Sequence, residues 1–374
     1  MDRLYHFSAP GRAEIGGNHT DHQHGCVLAA AIQLETKAEV RLNGTDRIRI
    51  TSEGYPHTEI CLSDLAVHPE EKNTTAALVR GVAAAFAARG CRLAGFDASI
   101  TSTVLPGSGL SSSAAFEVLL GRILNGLFFD GRMSPAEIAR IGQYAENIYF
   151  GKPCGLMDQM ASSLGGLVFL DFADPAQPSA EAVEFSFAEH GYTLCTVDSG
   201  ADHAGLTADY AAIPQEMHAV AACFGKDVLR EVDEQAFYCE LPRLRRAVGD
   251  RAVLRAMHFF DEDQRVRRQV QALREGQLQA FLDGVNASGD ASWELLQNIT
   301  PPGAVEHQSM ALTLALCRRL LGGAGAVRVH GGGFAGTVLA FVPDDRMAAF
   351  SAGETDILVA TTVIEVGVDV PNAT

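Results

Sequence analysis

A glycine- and serine-rich stretch at residues 105–115 is the first place where residue types and spacing indicate chemistry. It reads Leu-Pro-Gly-Ser-Gly-Leu-Ser-Ser-Ser-Ala-Ala and joins a predicted strand, Gly95 to Thr103, to a predicted helix, Ala114 to Phe128. Glycines let a backbone approach a ligand closely, and the free N–H groups and dipole of a helix start attract anions. The stretch therefore predicts a phosphate-binding loop. A serine N-cap after a glycine turn is the simpler alternative.

A second polar stretch, Ala9 to His22, combines glycines, one cation, two carboxylates and two imidazoles. It lies between two apolar segments, Tyr5 to Phe7 and Cys26 to Ile32, so we expect it to be held between core elements. Polar groups held in this way tend to contact a ligand. The spacing of the histidines at positions 19, 22 and 24 matches no structural zinc pattern, which argues against a metal site.

A third stretch, residues 151–162, contains a single carboxylate, Asp158, among apolar and small residues. A carboxylate in such surroundings is either a helix cap or a functional base.

The helix before it is predicted from Ser134-Pro135-Ala136-Glu137, a capping box with proline at the first helical position. Its apolar face would carry Ile138, Ile141, Tyr144 and Ile148. Glu146 is either a surface carboxylate or a metal ligand, and the helical pattern favours the surface.

A fourth stretch has five glycines between residues 325 and 336, together with Arg328 and His330. It is either a turn between strands or a place where the backbone approaches something closely. Tyr210, near the start of a predicted helix, is either a core residue or a ligand contact.

Length and composition indicate a two-domain globular protein. A chain of 374 residues exceeds the usual size of one core, and the proline-bearing loop at 173–182 predicts a boundary. We therefore predict domains at 1–180 and 181–352. A net charge of −17 argues against nucleic-acid or membrane-surface partners. Eight scattered cysteines without a C-x-x-C pair, and no apolar run of membrane-spanning length, predict a soluble cytoplasmic protein with reduced thiols.

The four stretches together resemble the galactokinase family of the GHMP kinase superfamily. Residues 11–22 resemble the signature G-R-x-N-x-I-G-E-H-T-D-Y, and residues 107–114 resemble the superfamily phosphate loop. Residues 154–159 resemble the segment C-G-x-M-D-Q, and residues 331–336 resemble G-G-G-F-G-G. The order and spacing match over roughly residues 1–350, which is more specific than any single motif. A Walker A sequence is absent.

The resemblance implies a role for individual residues. Arg12 would stabilise charge on the transferred phosphoryl group, and Asp158 would accept, or electrostatically assist removal of, the proton of the sugar C1 hydroxyl. Magnesium would be held by Ser112 or Ser113 with Glu146. Residues implied to contact the sugar are Asn18, His19, Asp21, Asp158 and Tyr210. Residues implied to bind ATP are Gly107, Ser108, Gly109, Leu110, Ser111, Ser112 and Ser113.

The resemblance also implies a fold and an activity. The fold is α+β, the two-domain GHMP kinase fold, with an N-terminal domain like ribosomal protein S5 domain 2 and a C-terminal domain of ferredoxin-like α/β layers. The active site is expected in the interdomain cleft. The implied activity is the ATP- and Mg²⁺-dependent phosphorylation of galactose at C1, in galactose metabolism. The implied partners are a sugar and ATP, and the sequence does not indicate an oligomeric state.

One departure from the signature concerns the sugar. Asn18 stands where the signature has a glutamate expected to hydrogen-bond the sugar. An amide can donate and accept, so a sugar site is retained, but N-acetylgalactosamine or another hexose is an alternative substrate. A non-catalytic sugar sensor is a further alternative, and the presence of both Arg12 and Asp158 argues against it.

A second departure is the C-terminal end. Residues 353–374 resemble a segment of superfamily 2 DNA helicases of the branch-migration type, whereas the chain upstream has no helicase phosphate loop. We interpret these residues as a foreign tail. Two strand-forming runs, Ile357–Ala360 and Val363–Val366, could take the place of a native last strand, or the tail could leave that sheet edge unpaired.

Overall fold

The chain forms two compact units. The computed structural model describes residues 3–104, 109–152, 154–201, 205–352 and 363–365. Of these, the first unit contains residues 3–12 and 31–166, and the second contains residues 13–30, 167–352 and 363–365. The second unit thus begins after Gly166 and includes an N-terminal segment, where the sequence predicted one boundary near residue 180.

Along the described residues, strands and helices follow one another in runs, from four strands at the start to six successive helices between β8 and β9. The strands are β1 (Tyr5–Gly16), β2 (Cys26–Leu42), β3 (Arg47–Ser52), β4 (Thr58–Cys61), β5 (Phe96–Ser102), β6 (Leu167–Asp171), β7 (Ser179–Ala182), β8 (Tyr192–Asp198), β9 (Ala326–Val329), β10 (Thr337–Pro343) and β11 (Val363–Glu365). The helices are α1 (Thr75–Ala88), α2 (Ser112–Phe128), α3 (Pro135–Tyr144), α4 (Met157–Leu164), α5 (Thr207–Ala222), α6 (Glu234–Cys239), α7 (Leu241–Val248), α8 (Asp250–Arg274), α9 (Leu278–Ala291), α10 (Ser309–Leu321) and α11 (Met347–Ala352). None of the helices in the described ranges is long and apolar enough to cross a membrane.

The sheet of the first unit has the strand order β4-β3-β5-β2. β5 pairs antiparallel with residues 36–42 of β2 and parallel with β3, so it lies between two strands that are neighbours in sequence. The segment 43–46, which joins β2 to β3, therefore does not close a hairpin. Instead, the Asn43 amide donates to Arg47 O and Asp97 Oδ1, which fixes the crossing on both sides.

The helix α3 begins with the predicted capping box. Ser134 Oγ accepts from the Glu137 backbone N–H, and the Glu137 carboxylate accepts from the Ser134 N–H.

The predicted apolar face of this helix is buried only as far as Ile141. A π-helical turn, Ala145–Phe150, follows Tyr144, and its extra residue per turn rotates the side chains that come after it. Ile148 is consequently 53 % exposed, whereas Glu146 is only 3 % exposed. The expectation of a surface carboxylate at position 146 is therefore wrong.

The second unit contains two groups of strands. Residues 26–30 of β2 pair antiparallel with β6, and β6 pairs with β7, which explains why these residues belong to this unit. A separate sheet has the order β11-β8-β10-β9. Both units combine helices with mainly antiparallel strands, which confirms the α+β class.

The C-terminal tail contributes one of these strands. β11 pairs antiparallel with β8 in the register Val363↔Val197 to Glu365↔Cys195. Residues 353–362 and 366–374 lie outside the described residues. The tail therefore pairs with the edge of this sheet at β8, rather than leaving that edge unpaired.

Candidate active site

Arg12 and Asp158 form an ion pair in the first unit. Arg12 Nε donates to Asp158 Oδ1 at 2.7 Å, and Arg12 Nη1 donates to Gly109 O at 2.5 Å. The backbone N–H of Arg12 donates to Leu110 O, and a Cβ on Gly11 would lie 2.9 Å from that oxygen. Gly11 is therefore needed for the serine loop to approach β1 this closely.

Asp158 lies in the first turn of α4, and both of its oxygens accept hydrogen bonds. Ser111 Oγ donates to Asp158 Oδ2 at 2.5 Å, opposite the bond from Arg12. Burial acts to raise the pKa of Asp158, but the charge and the hydrogen bond of Arg12, together with the hydrogen bond of Ser111, outweigh it, so this pKa lies below its ordinary value. The side chain retains 34 % of its surface, so an ionised carboxylate remains accessible to a ligand.

Ser111 precedes α2 in the left-handed conformation, with φ of 57°. Its hydroxyl makes no helix cap in this position and binds Asp158 instead. The simple serine N-cap is therefore not what this structure contains. Gly107 and Ser108, with Leu105 and Pro106, lie outside the described residues, so their predicted contact with ATP stays a prediction.

Two buried carboxylates, Glu117 and Glu146, are joined by the side chain of the residue that follows Asp158. The neighbouring residue, Gln159, donates from Nε2 to Glu117 Oε2 and to Glu146 Oε2, each at 3.0 Å. Burial, reinforced by the charge of Glu146, raises the pKa of Glu117 well above its ordinary value. Lys152 Nζ lies 3.5 Å from Glu146 Oε1.

This acidic cluster is suited to a hard cation. Glu117 Oε1 and Gln159 Oε1 are buried and have no hydrogen-bond partner among the described residues. Buried oxygens of this kind, beside a carboxylate, are the donors that Mg²⁺ accepts, and Mg²⁺ at phosphates needs only one or two protein carboxylates. Within the part of the chain that the structure describes, no three His, Cys, Asp or Glu side chains form a metal cluster.

A cavity of about 1030 Å³ opens beside Ser112 and Ser113. Its walls are the turn between β3 and β4, the start of α1, and the rings of Phe116 and Phe150. The volume suits a ligand of nucleotide size, and the aromatic rings offer faces for a planar base. Sequence reasoning missed these walls, because none of them belongs to a motif.

The predicted sugar residues of the second unit meet the glycine cluster. The carbonyls of Gly331, Gly332 and Gly333 accept hydrogen bonds from Asn18 Nδ2 (2.6 Å), His19 Nε2 (3.0 Å) and Tyr210 Oη (2.6 Å), respectively. Asp21 opens a short 3₁₀ turn, Asp21–Gln23, directly after His19 and Thr20. Three of the predicted residues are thus brought onto one loop.

The glycines of this loop are required by neighbouring protein atoms. A Cβ on Gly332 would lie 2.7 Å from the Tyr210 ring, and a Cβ on Gly333 would lie 2.2 Å from Asn298 O. The close approach predicted from the glycines is therefore an approach to Tyr210 and Asn298. Burial raises the pKa of Tyr210 to about 12, so its hydroxyl stays a donor.

His19 is a neutral imidazole. Burial is the main reason that the pKa of His19 falls from 6.5 to about 4. Since a carbonyl can only accept, His19 Nε2 carries the proton toward Gly332 O, and Nδ1 accepts from His22 Nε2 at 3.2 Å. Burial likewise lowers the pKa of His22.

Asn18 is fully buried. Besides Gly331 O, its amide donates to Glu14 Oε1 at 3.0 Å, and its Oδ1 accepts from Asn298 Nδ2 at 2.9 Å. Direct contact of Asn18 with a sugar stays a prediction.

Comparison with known proteins first identifies the superfamily. Residues 77–166 match the family model of the GHMP kinases N terminal domain. A mevalonate kinase of Methanococcus jannaschii has the same fold, with a TM-score of 0.68 at 13 % identity over 98 % of each chain. The fold and the match over residues 77–166 are thus those of the GHMP kinases.

Two further comparisons identify one family within this superfamily. Residues 2–42 match the galactokinase galactose-binding signature. Galactokinase of Streptomyces coelicolor is 34 % identical over 343 residues, which cover 90 % of this chain and 84 % of that protein. Lactococcus lactis galactokinase, in a crystal structure with galactose, superposes with a TM-score of 0.83 at 23 % identity, over 98 % of this chain and 94 % of that one. The chain belongs to the galactokinase family.

Proposed function

We propose that this protein transfers the γ-phosphoryl group of ATP to the C1 hydroxyl of galactose, producing galactose 1-phosphate. The observation that carries the proposal is the Arg12–Asp158–Ser111 arrangement, in which one accessible carboxylate is held on both oxygens. Membership of the galactokinase family supports the same reaction.

Asp158 is proposed as the group that receives the proton of the C1 hydroxyl. Its lowered pKa keeps it ionised at neutral pH, and its two hydrogen bonds fix the direction in which it accepts. A carboxylate with a low pKa is a weak base, so we expect the proton to move as the phosphoryl bond forms. Arg12 is proposed to stabilise the charge on the transferred group, since phosphoryl transfer depends mainly on positioning and electrostatics.

ATP is proposed to bind at the serine loop, with its base in the cavity beside Ser112 and Ser113. The backbone amides at the start of α2 suit the phosphates. Glu146, with Ser112 or Ser113, is proposed to hold Mg²⁺, which when bound neutralises phosphate charge. Gln159 would orient the Glu146 carboxylate through its hydrogen bond to Oε2.

Galactose is proposed to contact His19, Asp21 and Tyr210. The Asp21 carboxylate can accept a hydrogen bond from a hexose hydroxyl, and the Tyr210 hydroxyl, which donates to Gly333 O, can still accept one. The eight cysteines are all free thiols, which supports a proposed cytoplasmic location. The net charge of −17 supports the absence of a nucleic-acid partner.

The test is ATP consumption by the purified chain with Mg²⁺ and, in turn, galactose, N-acetylgalactosamine, glucose and arabinose. We expect turnover with galactose. Turnover only with another sugar would refute the substrate and point to Asn18 as the cause. Sugar binding by calorimetry without turnover on any of the four would favour a non-catalytic sensor.

A further inference from the structure

Asn18 occupies a position that requires a hydrogen-bond donor. Its amide donates to Gly331 O at 2.6 Å and to Glu14 Oε1 at 3.0 Å, and the side chain has no exposed surface. A carboxylate at position 18 would face a carbonyl and a second carboxylate with nothing to donate. The structure therefore explains why this position is not a glutamate here.

Glu14 occupies a position that requires a negative charge. Its Oε1 accepts from Arg328 Nη2 at 2.6 Å, and Arg328 is fully buried. Arg328 also donates to Ile15 O and Val329 O, so its guanidinium is fixed by backbone on two sides. Without Glu14, this buried cation would lose the carboxylate that it pairs with, which is strongly unfavourable.

The two positions are also the two at which the family signature carries an amide and a carboxylate. In G-R-x-N-x-I-G-E-H the amide comes first and the carboxylate second, whereas this chain has Glu14 first and Asn18 second. Because the two side chains are in direct contact, the exchange keeps one carboxylate and one amide in the same hydrogen-bonded pair.

We infer that Glu14 and Asn18 act as one positioning pair for the sugar site, so that the residue tolerated at position 18 depends on the residue at position 14. Asn18 acts on the hexose through the Gly331–Gly332 backbone: Asn18 donates a hydrogen bond to Gly331 O, and the neighbouring Gly332 O accepts one from the His19 imidazole. The inference rests on the proposed function. It contradicts the simple expectation that restoring glutamate at position 18 improves galactose binding.

The experiment is a double-mutant cycle with Glu14→Asn, Asn18→Glu and the double variant. The measurements are the galactose Kd by calorimetry, the KM values for galactose and ATP, and hydrogen exchange of a peptide covering residues 328–337. We expect Asn18→Glu alone to raise the galactose Kd and KM about tenfold or more, with the KM for ATP within about twofold. In the Glu14→Asn background, the same substitution should cost about tenfold less, because only one carboxylate then remains in the pair.

Several results would overturn the inference. One is an Asn18→Glu variant that binds galactose as tightly as the parent protein. Another is a penalty of equal size in both backgrounds, and a third is coupling in hydrogen exchange without coupling in the galactose Kd. Should Glu14→Asn fail to fold, Glu14→Gln retains the side-chain length and an acceptor for Arg328, and the same cycle applies.

Failure of the proposed function is distinguishable from failure of this inference. Absence of galactose turnover in the parent protein refutes the function. The exchange of residues 328–337 is measured without sugar or ATP, and equal protection in all four proteins refutes the pair.

Discussion

Replacing His19 with glutamine should make the protein less sensitive to mild acid. The parent imidazole is neutral when folded, with a pKa of about 4 against 6.5 for the free group. As pH falls below 6.5, the unfolded chain takes up a proton that the folded chain refuses, so stability present above this pH is lost progressively down to about 4. Glutamine can still donate to Gly332 O, but it does not titrate.

The magnitude follows from the two pKa values. Between pH 7 and pH 5, a shift of this size changes the free energy of unfolding by at most about 2 kcal/mol. His19 is only partly buried, and solvent screening reduces the effect, so we expect about 1–2 kcal/mol.

The assay is urea unfolding of the parent, of His19→Gln and of His307→Gln at both pH values. His307 is an exposed histidine of the same unit, so its variant should behave as the parent does. Near-UV and far-UV signals should be followed together, because a chain of two units need not unfold in one step. An equal loss of stability in His19→Gln and the parent protein would refute a neutral, desolvated His19.

Three further predictions concern other parts of the chain. Arg12→Lys keeps the charge but loses the planar fork that joins Asp158 and Gly109 O, so kcat should fall about 10²-fold or more in a coupled kinase assay, and a kcat near the parent value would contradict this. Gln269 is buried with both amide atoms lacking a partner among the described residues, so Gln269→Met should raise the free energy of unfolding in urea by about 1–2 kcal/mol, and destabilisation would contradict it. Deleting residues 353–374 removes β11 from the edge of β8, so the Tm should fall and light scattering should show association, whereas an unchanged Tm would show that the tail adds no stability.

The local elements of the fold could be predicted because their signals are local. The capping box at Ser134, the strand before the serine loop and the helix after that loop depend on nearby residues, and all three are present. The placement of β5 between β2 and β3 could not be predicted, because it depends on pairing between strands that lie about 50 residues or more apart in the sequence.

The candidate site was predictable to a similar extent. Arg12 and Asp158 were singled out from resemblance, and the structure brings them together over 146 residues. Ser111 as the second partner of Asp158 was missed, since its position suggested only phosphate binding or a cap. The helical period favours the surface over a metal ligand for Glu146, because that period cannot anticipate a π-helical turn.

The most direct test of the account is the galactose kinase activity of Asp158→Asn beside that of Asp345→Asn, an exposed control. We expect Asp158→Asn to lower kcat about 10²–10⁴-fold while galactose and ATP still bind, because the amide cannot accept the proton of the C1 hydroxyl. Asp345→Asn should match the parent protein. An Asp158→Asn variant that turns over galactose at the parent rate would contradict the proposed role of Asp158 as the proton acceptor.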